Sequence, residues 1–156
     1  MKVVTAVVNN PLFIELQYHS LKKYMPCDYE FIVFNDAKDF PDFTNGGDIT
    51  IRKQIEDICT KLKIKCMNVS NEHHALHKVA SYRTGDTMNI IMRYQLKYPD
   101  EYLLLDSDMF LVDTFDIEKY RKYDCSIVLR HILYEDQSVY HLWNGIYYFN
   151  IYKKID

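Results

Sequence analysis

The sequence predicts an α/β protein with a mostly parallel central sheet and helices on both faces. Three observations predict it. Short continuous apolar runs, each bounded by polar or turn residues, recur at residues 3–8, 29–34, 66–69 and 102–105, the pattern of strands covered on both faces. Segments of helical periodicity separate them, giving an order β-α-β-α-β-α-β that closes as right-handed parallel crossovers. The first, second and fourth runs also end in polar residues, Asn9-Asn10, Asn35-Asp36 and Asp106-Ser107-Asp108, which a parallel sheet gathers along one edge.

Pro11 fits the first turn of a helix capped by Asn10, with Phe13, Leu16, Leu21 and Tyr24 at helical spacing. Residues 37–50 read as a loop punctuated by Pro41 and Asn45-Gly46-Gly47. Ile51, Ile55, Ile58, Cys59 and Leu62 mark the next amphipathic helix. The stretch from Ser70 to Asp86 is polar and aperiodic; helix returns at Asp86, with Met88, Ile91, Met92 and Leu96 on one face and Pro99 as its stop. Beyond Asp113 the pattern predicts a short helix near 116–120, a strand at 125–129, a polar loop through Glu135-Asp136-Gln137 and a last strand at 145–150. The 156 residues suit a single domain, 1–156, trimmed at its carboxyl end because no closing helix follows.

Composition excludes several classes. A formal charge of −3 without a basic stripe argues against a nucleic-acid partner. No apolar run approaches membrane-spanning length, and MKVVTAVVNN turns polar too soon for a signal peptide, so a cytoplasmic location is expected. The four cysteines show no Cys-x-x-Cys spacing and read as reduced core residues. Fourteen tyrosines and eight phenylalanines suit sugar stacking, although a core built from them explains the count equally well.

The chemistry concentrates at YLLLDSDMFLVD. Asp106 and Asp108 follow a buried run directly, at the sheet edge where open α/β folds place ligands. Two hard oxygen donors there point to Mg²⁺ or Mn²⁺, with Ser107 between them as a candidate donor to the ligand. His73 and His77, at i and i+4 with His74 beside them, lack the acid of a His-Glu-x-x-His zinc motif and read as loop.

In this order of elements, the Asp106-Ser107-Asp108 triplet resembles the DxD motif of GT-A glycosyltransferases, Rossmann-like enzymes that use nucleotide-sugar donors. The segment from Trp143 through Asn144-Gly145 to Asn150 is similar to that family's Asn-x-Gly-type stretch. Size and sequence texture also resemble small glycosyltransferases of large algal DNA viruses, which would place the protein in a host cytoplasm.

The resemblance implies a metal-dependent transfer of sugar from a nucleotide sugar, a UDP-sugar, to a glycan or protein-linked acceptor. It implies Asp106 and Asp108 on the metal, and Thr5, Val7 and Asn9 with Asn35 and Asp36 around base and ribose. Arg83 and Lys78 would meet ribose or phosphate and stabilise developing charge, while Trp143, Asn144 and Gly145 line the sugar. The Glu135-Asp136 pair resembles acids that act as general base in inverting relatives, although here it precedes the glycine segment. The chain stops before the region where many relatives supply a third metal ligand, and His131 or His141 are candidate substitutes.

A haloacid dehalogenase-type phosphatase also has a hydrophobic strand followed by DxD, but near its amino terminus and with long sequence downstream. A sugar nucleotidyltransferase would need a glycine-rich basic loop after the first strand, where VVNNPLF has none. A non-catalytic sugar- or protein-binding module is the third alternative.

Overall fold

The computed structural model describes residues 1–70, 78–134 and 137–152, without the side chain of Asn144. The elements run β1 (Lys2–Val7), α1 (Leu12–Tyr24), β2 (Glu30–Asn35), α2 (Ile51–Leu62), β3 (Lys65–Asn68), α3 (Ala80–Lys97), β4 (Glu101–Leu105), α4 (Glu118–Arg121), β5 (Cys125–Tyr134) and β6 (Gln137–Asn150). Among the described residues they form one six-stranded sheet in the order β3-β2-β1-β4-β6-β5.

The sheet is mixed, which corrects the expectation of a mostly parallel one. Strands β3, β2, β1 and β4 are parallel, but β6 runs antiparallel to β4, and β5 antiparallel to β6. The reason is the connection: β5 and β6 are joined across only residues 135–136, and a link that short returns the chain only as a hairpin.

Strand parity sorts the core into two layers. Val3, Val7, Leu103, Leu105 and Tyr148 face Ile14 and Leu21 of α1 and Ile55 and Cys59 of α2. Val4, Ile32, Phe34, Tyr102, Leu104 and Tyr147 face Ile91 and Tyr94 of α3. Helices thus cover both faces, as expected.

Two helices depart from the predicted pattern. The buried face of α1 is Ile14, Gln17 and Leu21, with Leu16 exposed, and Asn10 meets the helix through its main-chain carbonyl, which accepts from the Phe13 N–H, and not through a side-chain cap. Helix α3 starts at Ala80, six residues before the expected Asp86, and buries Arg83, Thr87, Ile91, Tyr94 and Gln95 while Met92 and Leu96 face water. Its first turns bury polar side chains, so no apolar period announces them. The cysteines are free thiols, but Cys125 is exposed and not a core residue.

Candidate active site

The chain winds outward from β1 through β2 to β3, then crosses back to place β4 on the other side of β1. That reversal opens a crevice at the carboxyl ends of β1 and β4, where this kind of sheet receives ligands. The cavity there is about 460 Å³ and is lined by Ala6 of β1, Val8 and Asn9 just after it, Asp36 after β2, Arg83, Thr87 and Met88 of α3, and Asp106 and Ser107 after β4.

Parity decides which predicted residues reach it. Even-numbered positions of β1 face the α3 side, so Ala6 and Val8 form the wall with Asn9. Thr5 and Val7 point into the opposite layer and do not line the crevice. Asn35 is buried and committed elsewhere: its amide donates to the Arg52 carbonyl at 3.0 Å, and its Oδ1 accepts from the Ala37 N–H at 3.2 Å. Lys78 is exposed ahead of α3, also off the crevice lining.

Asp36 and Arg83 do meet, inside a buried ion cluster that sequence reading missed. Arg83, 3% exposed, donates from Nε to Asp36 Oδ2 at 3.0 Å and bonds to Asp42, Thr44 and the Asp36 carbonyl. Lys38 donates to Asp36 Oδ1 at 2.9 Å, and Thr87 to Asp36 Oδ2 at 2.8 Å. Burial alone would raise the Asp36 carboxyl; the Arg83 guanidinium and Lys38 ammonium outweigh it and hold the group below the usual carboxylate range. Asp42 is likewise lowered against its burial, by Thr44 and Arg83, whereas burial dominates for Lys38 and lowers it.

The cluster gives structure to the 37–50 loop. Asn45 Oδ1 accepts from the Asp42 and Gly47 N–H groups, while Gly46 and Gly47 take φ of 60° and 85°, the region that favours glycine. The sequence signal for this is the Asn45-Gly46-Gly47 turn, which announces the bend but neither Asp42 nor its union with Arg83. Four of the five Arg83 donors are engaged inside the protein, so the residue lines the crevice as a braced wall.

Asp106 sits at the other side of the crevice. Its N–H donates to the Gly145 carbonyl at 2.8 Å, extending the β4–β6 ladder by one bond, and Met109 N–H donates back to the Asp106 carbonyl at 3.0 Å, closing a turn over Ser107 and Asp108. Burial, reinforced by the negative charge of Asp108, pushes the Asp106 carboxyl above its usual value. Neither carboxylate has a hydrogen-bond or ion-pair partner among the described residues. Two neighbouring carboxylates are hard oxygen donors of the kind that could hold Mg²⁺ or Mn²⁺, with the remaining ligands coming from outside the pair. Among the described residues no group of three His, Cys, Asp or Glu comes together, so neither His131 nor His141 completes the set. His131 stacks on Tyr140, and its Nε2 pairs with the Ser138 hydroxyl.

Gly145 belongs to a bulge. Ile127 pairs with Tyr147 and Val128 with Trp143, so residues 144–146 are extra on β6. A Cβ on Gly145 would lie 2.3 Å from the Trp143 ring, so the indole takes the space that any side chain would need. Gly145 is thereby fixed beside Asp106, while Trp143 packs against the α1 and α2 layer, and neither lines the crevice. Glu135, Asp136, His73, His74, His77 and the Asn144 side chain lie outside the described residues.

No family model matches the sequence, and no curated protein matches it. Comparison with solved structures does find a shared fold. The crystal structure of the galactosyltransferase LgtC in complex with donor and acceptor sugar analogs superimposes with a TM-score of 0.61 at 15% identity, covering 97% of this chain and 58% of that one. An active-site mutant of LgtC gives 0.57 at 15%, with the same coverage. This chain therefore shares the fold of LgtC and spans under two thirds of that protein's length. None of the helices among the described residues is long and apolar enough to cross a membrane.

Proposed function

We propose that this protein is a metal-dependent glycosyltransferase that takes a nucleotide sugar, a UDP-sugar, as donor and a glycan or protein-linked group as acceptor. The observation that carries the reading is the unpartnered carboxylate of Asp106, which lines the crevice at the β1/β4 reversal with the exposed Asp108 two residues on and outside that lining, on a fold shared with a galactosyltransferase.

In this reading the nucleoside lies in the crevice between the Ala6–Asn9 wall and α3, with its diphosphate toward Asp106. Asp106 and Asp108 hold Mn²⁺ or Mg²⁺, which when bound supplies Lewis-acid neutralisation of a departing diphosphate. Ser107 and Asn9 offer polar contacts at the crevice mouth. Asp36, held below the usual carboxylate range by Arg83 and Lys38, is a charged acceptor suited to a hydroxyl or ring N–H of the nucleoside. The Trp143–Gly145 bulge, tied to Asp106 through the Gly145 carbonyl, lines the sugar. Glu135 or Asp136 serves as general base. Replacing the acting acid by its amide would lower turnover while leaving donor affinity unchanged, and unchanged turnover in both Glu135→Gln and Asp136→Asn would remove that role.

The test is thermal stability with a panel of nucleotide sugars, each with and without Mn²⁺, because a ligand bound only by the native state raises Tm with its occupancy. The expected result is a shift that requires both a nucleotide sugar and metal and disappears in Asp108→Ala, whose own Tm is unchanged. A shift that persists in Asp108→Ala would refute the metal assignment.

A further inference from the structure

Gln17 occupies a place where packing alone asks for a leucine. It lies on the buried face of α1 between Ile14 and Leu21 and is 0% exposed. Burying an amide is unfavourable unless its groups are bonded, and here only one end is: Oε1 has no partner among the described residues. The other end is fully used. Nε2 donates to the Asp106 carbonyl at 2.6 Å and to the Met109 carbonyl at 3.0 Å.

Those two carbonyls belong to the first and last residues of the turn that carries the acid pair, the same turn closed by the Met109 N–H on the Asp106 carbonyl. One side-chain amide therefore spans the turn from behind while Asp106 lines the crevice in front. The contact continues along α1. Ser20 Oγ accepts from the Leu111 N–H at 3.3 Å, the Tyr24 carbonyl accepts from the Phe115 N–H at 2.9 Å, and Phe13 meets Phe110 edge-on at 5.5 Å. The apolar run after the acids, which could have continued as strand, is instead laid along a helix. Of these contacts only Gln17 touches the turn itself at both ends.

We infer that Gln17 is a positioning residue for the acid pair: its amide sets the backbone turn that presents Asp106 and Asp108 together to a divalent cation. The inference rests on the metal role proposed above. It concerns a residue that meets neither cation nor donor and acts through the carbonyls of the turn.

The test is Mn²⁺ titration in the presence of UDP, following the electron paramagnetic resonance signal of free Mn²⁺, together with Tm in buffer. Four proteins are compared: wild type, Gln17→Met, Ser20→Ala and Asp108→Ala. Met keeps the length of Gln and removes both donors; Ser20→Ala loosens the same segment away from the turn. Wild type should bind Mn²⁺ and Asp108→Ala should not. Gln17→Met should bind at least tenfold more weakly, while Ser20→Ala binds as wild type even if its Tm falls. If Gln17→Met does not fold, Gln17→Glu, which keeps one donor when its buried carboxyl is neutral, takes its place in the same comparison. Wild-type affinity in the Gln17 variant, or a loss matched by Ser20→Ala, would overturn the positioning role while leaving the metal site intact. Absence of Mn²⁺ binding by wild type, or undiminished binding by Asp108→Ala, would overturn the metal reading and this inference with it.

Discussion

The same residue type lives two different lives in the two halves of the sheet. Leu103 on β4 is 0% exposed, with strands on either side and a core layer on each face, whereas Leu133 on β5 is 71% exposed and Leu129 is 60%. The parallel half is an interior. The outer part of the β5–β6 hairpin is a two-stranded ribbon that carries Leu129, Leu133, Tyr140 and Leu142 in water. Strand formation and burial are thus separate outcomes: a hairpin needs only its partner strand, while a parallel sheet needs its crossover helices as well. The acid turn sits at the seam, with β4 behind it and the β6 bulge beside it.

The largest test of this contrast is Arg83→Met. It leaves Asp36 and Asp42 buried without their guanidinium, and urea unfolding should show a loss of about 3–5 kcal/mol. A loss below about 1 kcal/mol would mean that the cluster does not brace the parallel half.

At the seam, Gly145→Ala puts a methyl where the Trp143 ring lies, at an expected cost of about 1–3 kcal/mol. The cost should shrink when Trp143 is also shortened to Leu. Equal costs in the two backgrounds would show that the indole is not what the glycine accommodates.

Acid should destabilise the sheet through its low-held carboxyls. The native carboxyls of Asp36, Asp42 and Glu101 are held low, Glu101 by Arg121 and the Tyr148 hydroxyl against its own burial. Such groups contribute fully above their unfolded values, near 4, and lose that contribution as pH falls through the native ones. Tm should therefore drop steadily below about pH 4, and less steeply in Arg83→Met. A slope unaffected by that substitution would move the acid sensitivity elsewhere.

The smallest effect belongs to the ribbon. Leu133→Ser should change stability by no more than about 0.5 kcal/mol, because the side chain is already in water. A loss of about 2 kcal/mol or more by the same urea measurement would show that Leu133 is buried in solution.

Legibility in the sequence divides along the same line. The strand before Asp106 was readable because its four apolar residues are bounded by polar neighbours, and with it the edge that carries the crevice. Parity at that edge was not readable: nothing in VVTAVVNN says whether Thr5 and Val7 or Ala6 and Val8 face α3, because both sets are small and apolar enough for either layer. The start of α3 was hidden because Arg83 is buried by ion pairing with Asp36 and Asp42, which leaves no hydrophobic period to find. Gln17 was passed over for a related reason, as a polar residue inside an apolar helix face. In the ribbon, the expected strands at 125–129 and 145–150 fall short of RHILY and SVYHLW, whose alternation lacks a buried face to make it regular.

The Asp106 N–H bond to the Gly145 carbonyl has a dynamic consequence. It lies just past the last pair of the β4–β6 ladder, at the bulge, where the ladder is free to open from one end. Each fraying of the ribbon that reaches the bulge exposes that amide to solvent before any bond of the parallel half is broken. Hydrogen exchange at Asp106 would accordingly track the hairpin's motion, and the amides of Leu103 and Leu104 the unfolding of the whole sheet.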